Sequence, residues 1–235
     1  MKSIYNSIIK DKKRGKKSLV ILIDPDKINL KKIDKLADKI HQSGANYVFV
    51  GGSLLSDNSF EKTVEQLKKS LKIPVIIFPG NNLQISKYAD AILFLSLISG
   101  RNPEYLIGQQ VAVAPLLAKT KLEVISTGYI LIESGKITSV EYISNTKPIP
   151  QDKPDIAVAT ALAGQMLGMK MIYLEAGSGA SKPVSEKMIQ SVSKHLKIPV
   201  IVGGGIRTKK QIQKAFKAGA DIVVVGTAFE EGEVE

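Results

Sequence analysis

The chain has 235 residues, 44% of them hydrophobic, enough to bury one sizeable core. It contains no cysteine, which excludes disulfides and thiolate metal sites and makes a reducing cytoplasm the expected setting. The formal net charge is +11, but most lysines fall in amphipathic helix patterns such as NLKKIDKLADKI. Solvated helix faces therefore account for the excess, and no nucleic acid is expected as a partner.

The opening MKSIYNSIIKDKKRGKK lacks the apolar stretch of a signal peptide. No apolar run approaches the roughly 20 residues of a membrane span. Residues 3–10 read as a short leading helix and DKKRGKK as a loop. Leu19 to Ile23 is a buried-strand run that stops at Asp24-Pro25-Asp26-Lys27. Asn29 caps the next helix, in which Ile33, Leu36, Ala37 and Ile40 share one face, and Gly44 ends it.

The same unit then repeats. Strand Tyr47 to Val50 leads into Gly51-Gly52-Ser53 and helix Phe60 to Leu71. Strand Val75 to Phe78 ends in Pro79-Gly80, and strand Ala91 to Leu95 follows after PGNNLQISKYAD. That connection is barely long enough for a parallel crossover, so the third helix is expected to be reduced. After Ser99-Gly100-Arg101, Asn102-Pro103 starts a helix running to about Lys119. The fifth strand starts near Glu123, and GYILIESGKITSVEYI reads as a β-hairpin turning at Ser134-Gly135. The small-residue helix Asp155 to Gly168 is apolar nearly all round, which fits either snug packing on a barrel or a subunit interface.

Strand Met171 to Leu174 leads into Glu175-Ala176-Gly177-Ser178-Gly179-Ala180 and helix Ser185 to Leu196. Strand Val200 to Val202 ends in Gly203-Gly204-Gly205, with Thr208 capping the helix beyond. Strand Ile222 to Val225 runs into Gly226-Thr227, and after Phe229 only EEGEVE remains, too little for a full eighth helix. Strands alternating with helices make an α/β fold with a parallel sheet, and eight strands argue for closure. The expected architecture is a single domain, residues 1–235, folded as a (β/α)8 TIM barrel with a reduced third helix and a truncated eighth.

Active sites of such barrels lie at the C-terminal strand ends. There the chain carries Asp24, Ser53, Arg101, Glu175 and three glycine-lined turns. Glycine lets backbone N–H groups approach a phosphate closely. A carboxylate and a hydroxyl from adjacent strands, Asp24 and Ser53, are hard oxygen ligands of the kind that hold Mg²⁺. Glu175 beside the cradle can accept a proton. Asp24 can equally cap the turn that follows it. His41 and His195 lie late in surface helices and take no catalytic role.

LIDPDK at 22–27, Gly51-Gly52-Ser53, YLEAGSGA at 173–180 and VGGGIR at 202–207 together resemble the geranylgeranylglyceryl phosphate synthase family. Ser99 to Pro103 and the tail of strand five resemble the second of its two branches. The resemblance implies a prenyltransferase joining sn-glycerol 1-phosphate to geranylgeranyl diphosphate with Mg²⁺. It implies Asp24 and Ser53 at the metal. Tyr173, Leu174, Glu175, Ala176, Gly177, Ser178, Gly179, Gly204, Gly205, Gly226 and Thr227 would bind glycerol phosphate, and Glu175 would orient or deprotonate the attacking hydroxyl. Many members carry a lysine where this chain has Leu22, so another cation is needed, with Arg101 the candidate. Phe78, Tyr88 and Phe94 are candidates for the prenyl groove, a membrane surface for product release, and a homo-oligomer for the assembly. Two other readings remain open at this point. One is a sugar-phosphate isomerase or synthase barrel of the ribulose-phosphate-binding type, and the other a basic barrel that binds nucleic acid or an anionic membrane.

Overall fold

The computed structural model describes residues 3–52 and 60–230, the side chain of Glu230 excepted. Ser53 therefore lies outside the described residues. The strands are β1 (Ser18–Ile23), β2 (Tyr47–Val50), β3 (Val75–Ile77), β4 (Ala91–Leu97), β5 (Glu123–Leu131), β6 (Met171–Glu175), β7 (Val200–Gly203) and β8 (Ile222–Val225). Each pairs in parallel with the next, and β8 pairs back with β1. The sheet is thus a closed barrel, as expected, and closure does not depend on the short eighth helix.

The helices are α1 (Ile4–Lys13), α2 (Ile33–Gln42), α3 (Phe60–Ser70), α4 (Gln109–Leu117), α5 (Ser139–Ser144), α6 (Pro154–Met166), α7 (Glu186–His195), α8 (Lys209–Lys217) and α9 (Thr227–Glu230). No helix stands between β3 and β4. None of the described helices is long and apolar enough to cross a membrane.

Alternation along each strand sends one set of side chains to the lumen and the other to the helices. The lumen holds Val20, Phe49, Ile76, Leu93, Ile125, Tyr173, Ile201 and Val224, all nearly inaccessible. α1 lies across the N-terminal end and buries Ile4 and Ile8 in that cluster. The Glu123 carboxylate at the start of β5 accepts from the Ile4 and Tyr5 amides and from Ser3 Oγ, which pins α1 in place. With that end sealed, the C-terminal strand ends form the open mouth.

Two segments differ from expectation. Residues 132–149 form no hairpin: Ile132 makes an isolated parallel bridge to Ile149, and Ser139–Ser144 is the helix α5. Ser134-Gly135 is a turn, with Gly135 at φ +84°, but the chain after it does not return along β5. The helix begun by Asn102 opens as a π-helical turn, Glu104–Gly108, before continuing as α4. In α6, a Cβ on Gly164 would fall 2.9 Å from Ile98 Cδ1 and 3.0 Å from Ile172 Cδ1. Close seating on the barrel accounts for its small residues, while Ile156 and Met166 stay exposed on the outer face.

Candidate active site

One cavity opens at the mouth. Its lining includes Asp24, Gly51 and Gly52 from the β1 and β2 ends, Glu175, Ser178 and Gly179 after β6, Gly204, Gly205 and Arg207 after β7, and Gly226 and Thr227 after β8. An apolar branch leads away between β3, β4, the start of α4, and α5, past Phe78, Ile85, Phe94, Tyr105, Val113 and Ile143. Phe78 and Phe94 therefore meet the groove expectation. Tyr88 does not: it is half exposed, outside the cavity lining, with the Lys87 ammonium 5.2 Å from its ring centre.

Glu175 is the last residue of β6 and is buried. Its Oε1 accepts the Gly177 N–H at 2.6 Å. Burial pushes its pKa from 4.5 up to about 7, and the Gly177 bond opposes part of that rise. The Tyr173 hydroxyl stands next to the carboxylate and also counters the rise, though it is outside good hydrogen-bonding geometry and has no other partner. Burial, with the neighbouring Glu175 charge, holds Tyr173 and Tyr129 protonated well above the usual tyrosine range. Phe78 stacks on Tyr173 at 5.3 Å and tilts on Tyr129 at 6.0 Å, giving the cavity an aromatic floor.

The cradle beside Glu175 needs glycine for two reasons. Gly204 holds φ +81°, and a Cβ on it would meet Glu175 Oε1 at 2.3 Å and the Gly177 nitrogen at 2.6 Å. Gly177 at φ +95° would press its Cβ into Thr138 at the start of α5. The N–H groups of Ser178, Gly179, Gly204 and Gly205 meet no acceptor among the described residues, and the first amides of α9 have none within the helix. Such unpaired amides around bare Cα atoms suit a phosphate. Leu174 and Ala176 are buried behind the cradle rather than in the cavity lining.

Asp24 does two things. Its Oδ1 accepts the Asp26 N–H at 3.2 Å, capping the 3₁₀ turn Pro25–Lys27, and its Oδ2 lies 3.9 Å from Lys27 Nζ. A Cβ on Gly52 would fall 2.8 Å from Oδ1, so the carboxylate rests on a bare Cα. This hard oxygen donor, packed into a glycine cradle, fits Mg²⁺. No group of three or more acid or histidine ligands gathers among the described residues, so a cation here would draw most of its ligands from substrate and water.

Arg101 is not brought to the mouth. Its Nη1 donates to the Gly100 carbonyl at 2.7 Å, and its side chain lines a separate depression between the start of α4 and α6. The cations in the cavity wall are Lys27 and Arg207. His41 and His195 lie outside the cavity, His41 beside the Lys72 amide and His195 against the Ser191 carbonyl. Sequence reasoning missed Gln84, a buried amide bonded to Gly52, because its partners are all backbone.

The model of the PcrB family matches residues 8–235. The chain belongs to the PcrB family. It is 57% identical over 228 residues to the geranylgeranylglyceryl phosphate synthase of Flavobacterium johnsoniae, covering 97% of this chain and 94% of that one. It is 55% identical to the enzyme of that name from Chitinophaga pinensis, over 97% of this chain and 90% of the other. Its fold superposes on (S)-3-O-geranylgeranylglyceryl phosphate synthase from Thermoplasma acidophilum, solved in complex with sn-glycerol-1-phosphate, with a TM-score of 0.92 and 35% identity over 98% and 92% of the two chains. The resemblance read from the motifs therefore holds across almost the whole PcrB chain, which is a prenyltransferase of the geranylgeranylglyceryl phosphate synthase type.

Proposed function

We propose that this PcrB-family barrel joins sn-glycerol 1-phosphate to geranylgeranyl diphosphate, forming an ether-linked lipid precursor and releasing diphosphate. The observation that carries the reading is a single cavity holding a carboxylate on a glycine bed at β1–β2, a buried glutamate in an amide cradle at β6–β8, and an apolar branch between them and the surface. In this reading the glycerol phosphate headgroup takes the amides of Ser178, Gly179, Gly204, Gly205 and Thr227. Its free hydroxyl points at Glu175. Oε1 is occupied by Gly177, which leaves Oε2 to take the proton. A carboxyl that titrates near neutrality is suited to that transfer.

The hydroxyl oxygen bonds to the first carbon of the prenyl chain while the bond from that carbon to the diphosphate oxygen breaks. A Mg²⁺ ion held by Asp24, with Ser53 the further ligand implied by the motif, supplies neutralisation of the charge growing on diphosphate. The aromatic faces of Phe78, Tyr129 and Tyr173 lie where the allylic carbon would gain positive character, a charge that ring faces stabilise. The tail runs along the apolar branch. Holding both reactants in line contributes by orientation.

The surface around that branch fits a lipid bilayer. Leu83, Ile107, Ile137 and Tyr142 are 58–82% exposed on the segments that border it. The Asn82 amide bonds to Gln109 and the Tyr105 hydroxyl to the Ile143 carbonyl, joining those segments into one rim. Exposed Val111 and Leu116 on α4 and Ile156, Met166 and Leu167 at α6 fit a homo-oligomer contact. A cytoplasmic location accords with the absence of cysteine.

Incubation with both substrates and Mg²⁺, followed by extraction of ether-linked product, tests the reading. Product is expected from the wild type and not from Asp24→Asn; no product from folded wild type overturns it.

A further inference from the structure

Gln84 stands in the β3–β4 connection, where other barrel units place a helix. The chain turns at Asn81, whose Oδ1 accepts the Leu83 N–H at 2.9 Å. The turn sends Leu83 outward, 82% exposed, and Gln84 inward, 0% exposed. A buried primary amide must satisfy both its ends. Gln84 does so on three backbone groups. Its Nε2 donates to the Gly52 carbonyl at 2.6 Å, and its Oε1 accepts the Gly52 N–H at 3.3 Å and the Gly80 N–H at 3.1 Å. It thus pairs with both polar groups of Gly52, as a neighbouring strand would.

Gly51-Gly52 needs such a restraint, because adjacent glycines have the greatest backbone freedom. No larger residue replaces them easily. A Cβ on Gly51 would fall 1.8 Å from the Phe78 carbonyl oxygen, and one on Gly52 2.8 Å from Asp24 Oδ1. The Cα that Gln84 fixes is therefore the wall on which the Asp24 carboxylate rests.

We infer that Gln84 is a positioning residue for the diphosphate side of the mouth. By clamping Gly52 it sets the place at which Asp24 takes a divalent cation and, through it, the prenyl diphosphate. The inference rests on the reading of Asp24 given above.

The test uses the full chain with Gln84→Met, which keeps the length and removes all three bonds, and Gln84→Glu, which when ionised loses the donor. Mn²⁺ binding in the presence of inorganic pyrophosphate is followed by electron paramagnetic resonance, and sn-glycerol 1-phosphate binding by calorimetry. Both variants are expected to weaken Mn²⁺–pyrophosphate binding about tenfold or more, as loss of an outer support of a metal ligand does, while glycerol phosphate binding changes less than about twofold. Should Gln84→Met fail to fold, Gly52→Ala, which displaces Asp24 by contact, must reproduce the selective loss alongside Gln84→Glu. Parallel loss of both ligands, or unchanged Mn²⁺ binding in a folded Gln84 variant, overturns the inference. Asp24→Asn separates the levels. If it leaves Mn²⁺–pyrophosphate binding intact, the metal reading itself fails. If it abolishes binding and the Gln84 variants do not weaken it, only the role of Gln84 fails.

Discussion

Glu175 Oε1 and the Gly177 amide, 2.6 Å apart, both crowd the bare Cα of Gly204. The proposed base and the proposed phosphate cradle are therefore one structural unit, and substitutions there should show it.

Glu175 titrates near 7 because burial disfavours its charge. A base must be ionised, so kcat/KM should rise with pH through about 7 and level above it. Glu175→Gln should abolish that limb and lower kcat by about 100-fold or more. The sign for stability is opposite. The folded pKa lies above the unfolded value, so the native state binds the proton more tightly, and stability falls as pH rises from 4.5 to about 7. That loss is on the order of 3 kcal/mol at full ionisation. Glu175→Gln should accordingly melt above the wild type at pH 8 and lose that advantage toward pH 5, as scanning calorimetry would record.

Gly204→Ala puts a methyl group onto Glu175 Oε1 in a backbone region closed to alanine, whereas Gly226→Ala meets only Leu22 at 3.6 Å. The first should raise KM for sn-glycerol 1-phosphate by about tenfold or more, and the second by less than about threefold, in steady-state assays.

Arg101 is bonded to the backbone of its own loop and lines another depression. Arg101→Ala should leave both KM values within about twofold of wild type. A selective rise in KM for the prenyl diphosphate would show that the side chain swings to the mouth on binding.

Ile137 and Tyr142 lie 72% and 80% exposed beside the apolar branch. Replacing both with Glu should reduce co-sedimentation with phosphatidylglycerol vesicles by about fivefold or more. Turnover of a short, water-soluble prenyl diphosphate should be unchanged. Equal sedimentation of variant and wild type would remove the bilayer from the account.

Much of this was legible in the sequence because the barrel repeats a simple physical unit. Apolar runs such as Tyr47 to Val50 and Ile222 to Val225 are buried along their whole length, so they announce parallel strands without alternation. The glycine turns carry their meaning in composition. Residues 128–143 misled because an alternating pattern around Ser134-Gly135 is compatible with a hairpin, whereas the partner of Ile132 is Ile149 and Thr138 starts a helix. Gln84 was invisible for another reason. Its bonds run to backbone groups more than thirty positions upstream in one case and four in the other, and no residue type at Gly52 or Gly80 signals an amide partner. Arg101 was chosen from its place at a strand end, which fixes the position of a backbone but not the direction of a long side chain.

Crystals soaked with sn-glycerol 1-phosphate, Mn²⁺ and pyrophosphate test the central claim most directly. The account places the anomalous Mn²⁺ peak about 2.2 Å from an Asp24 oxygen, with the glycerol phosphate separately seated on the amides of Gly179, Gly204 and Gly205 and its free hydroxyl toward Glu175. Both anions in the same cradle, or a metal peak away from Asp24, would contradict it.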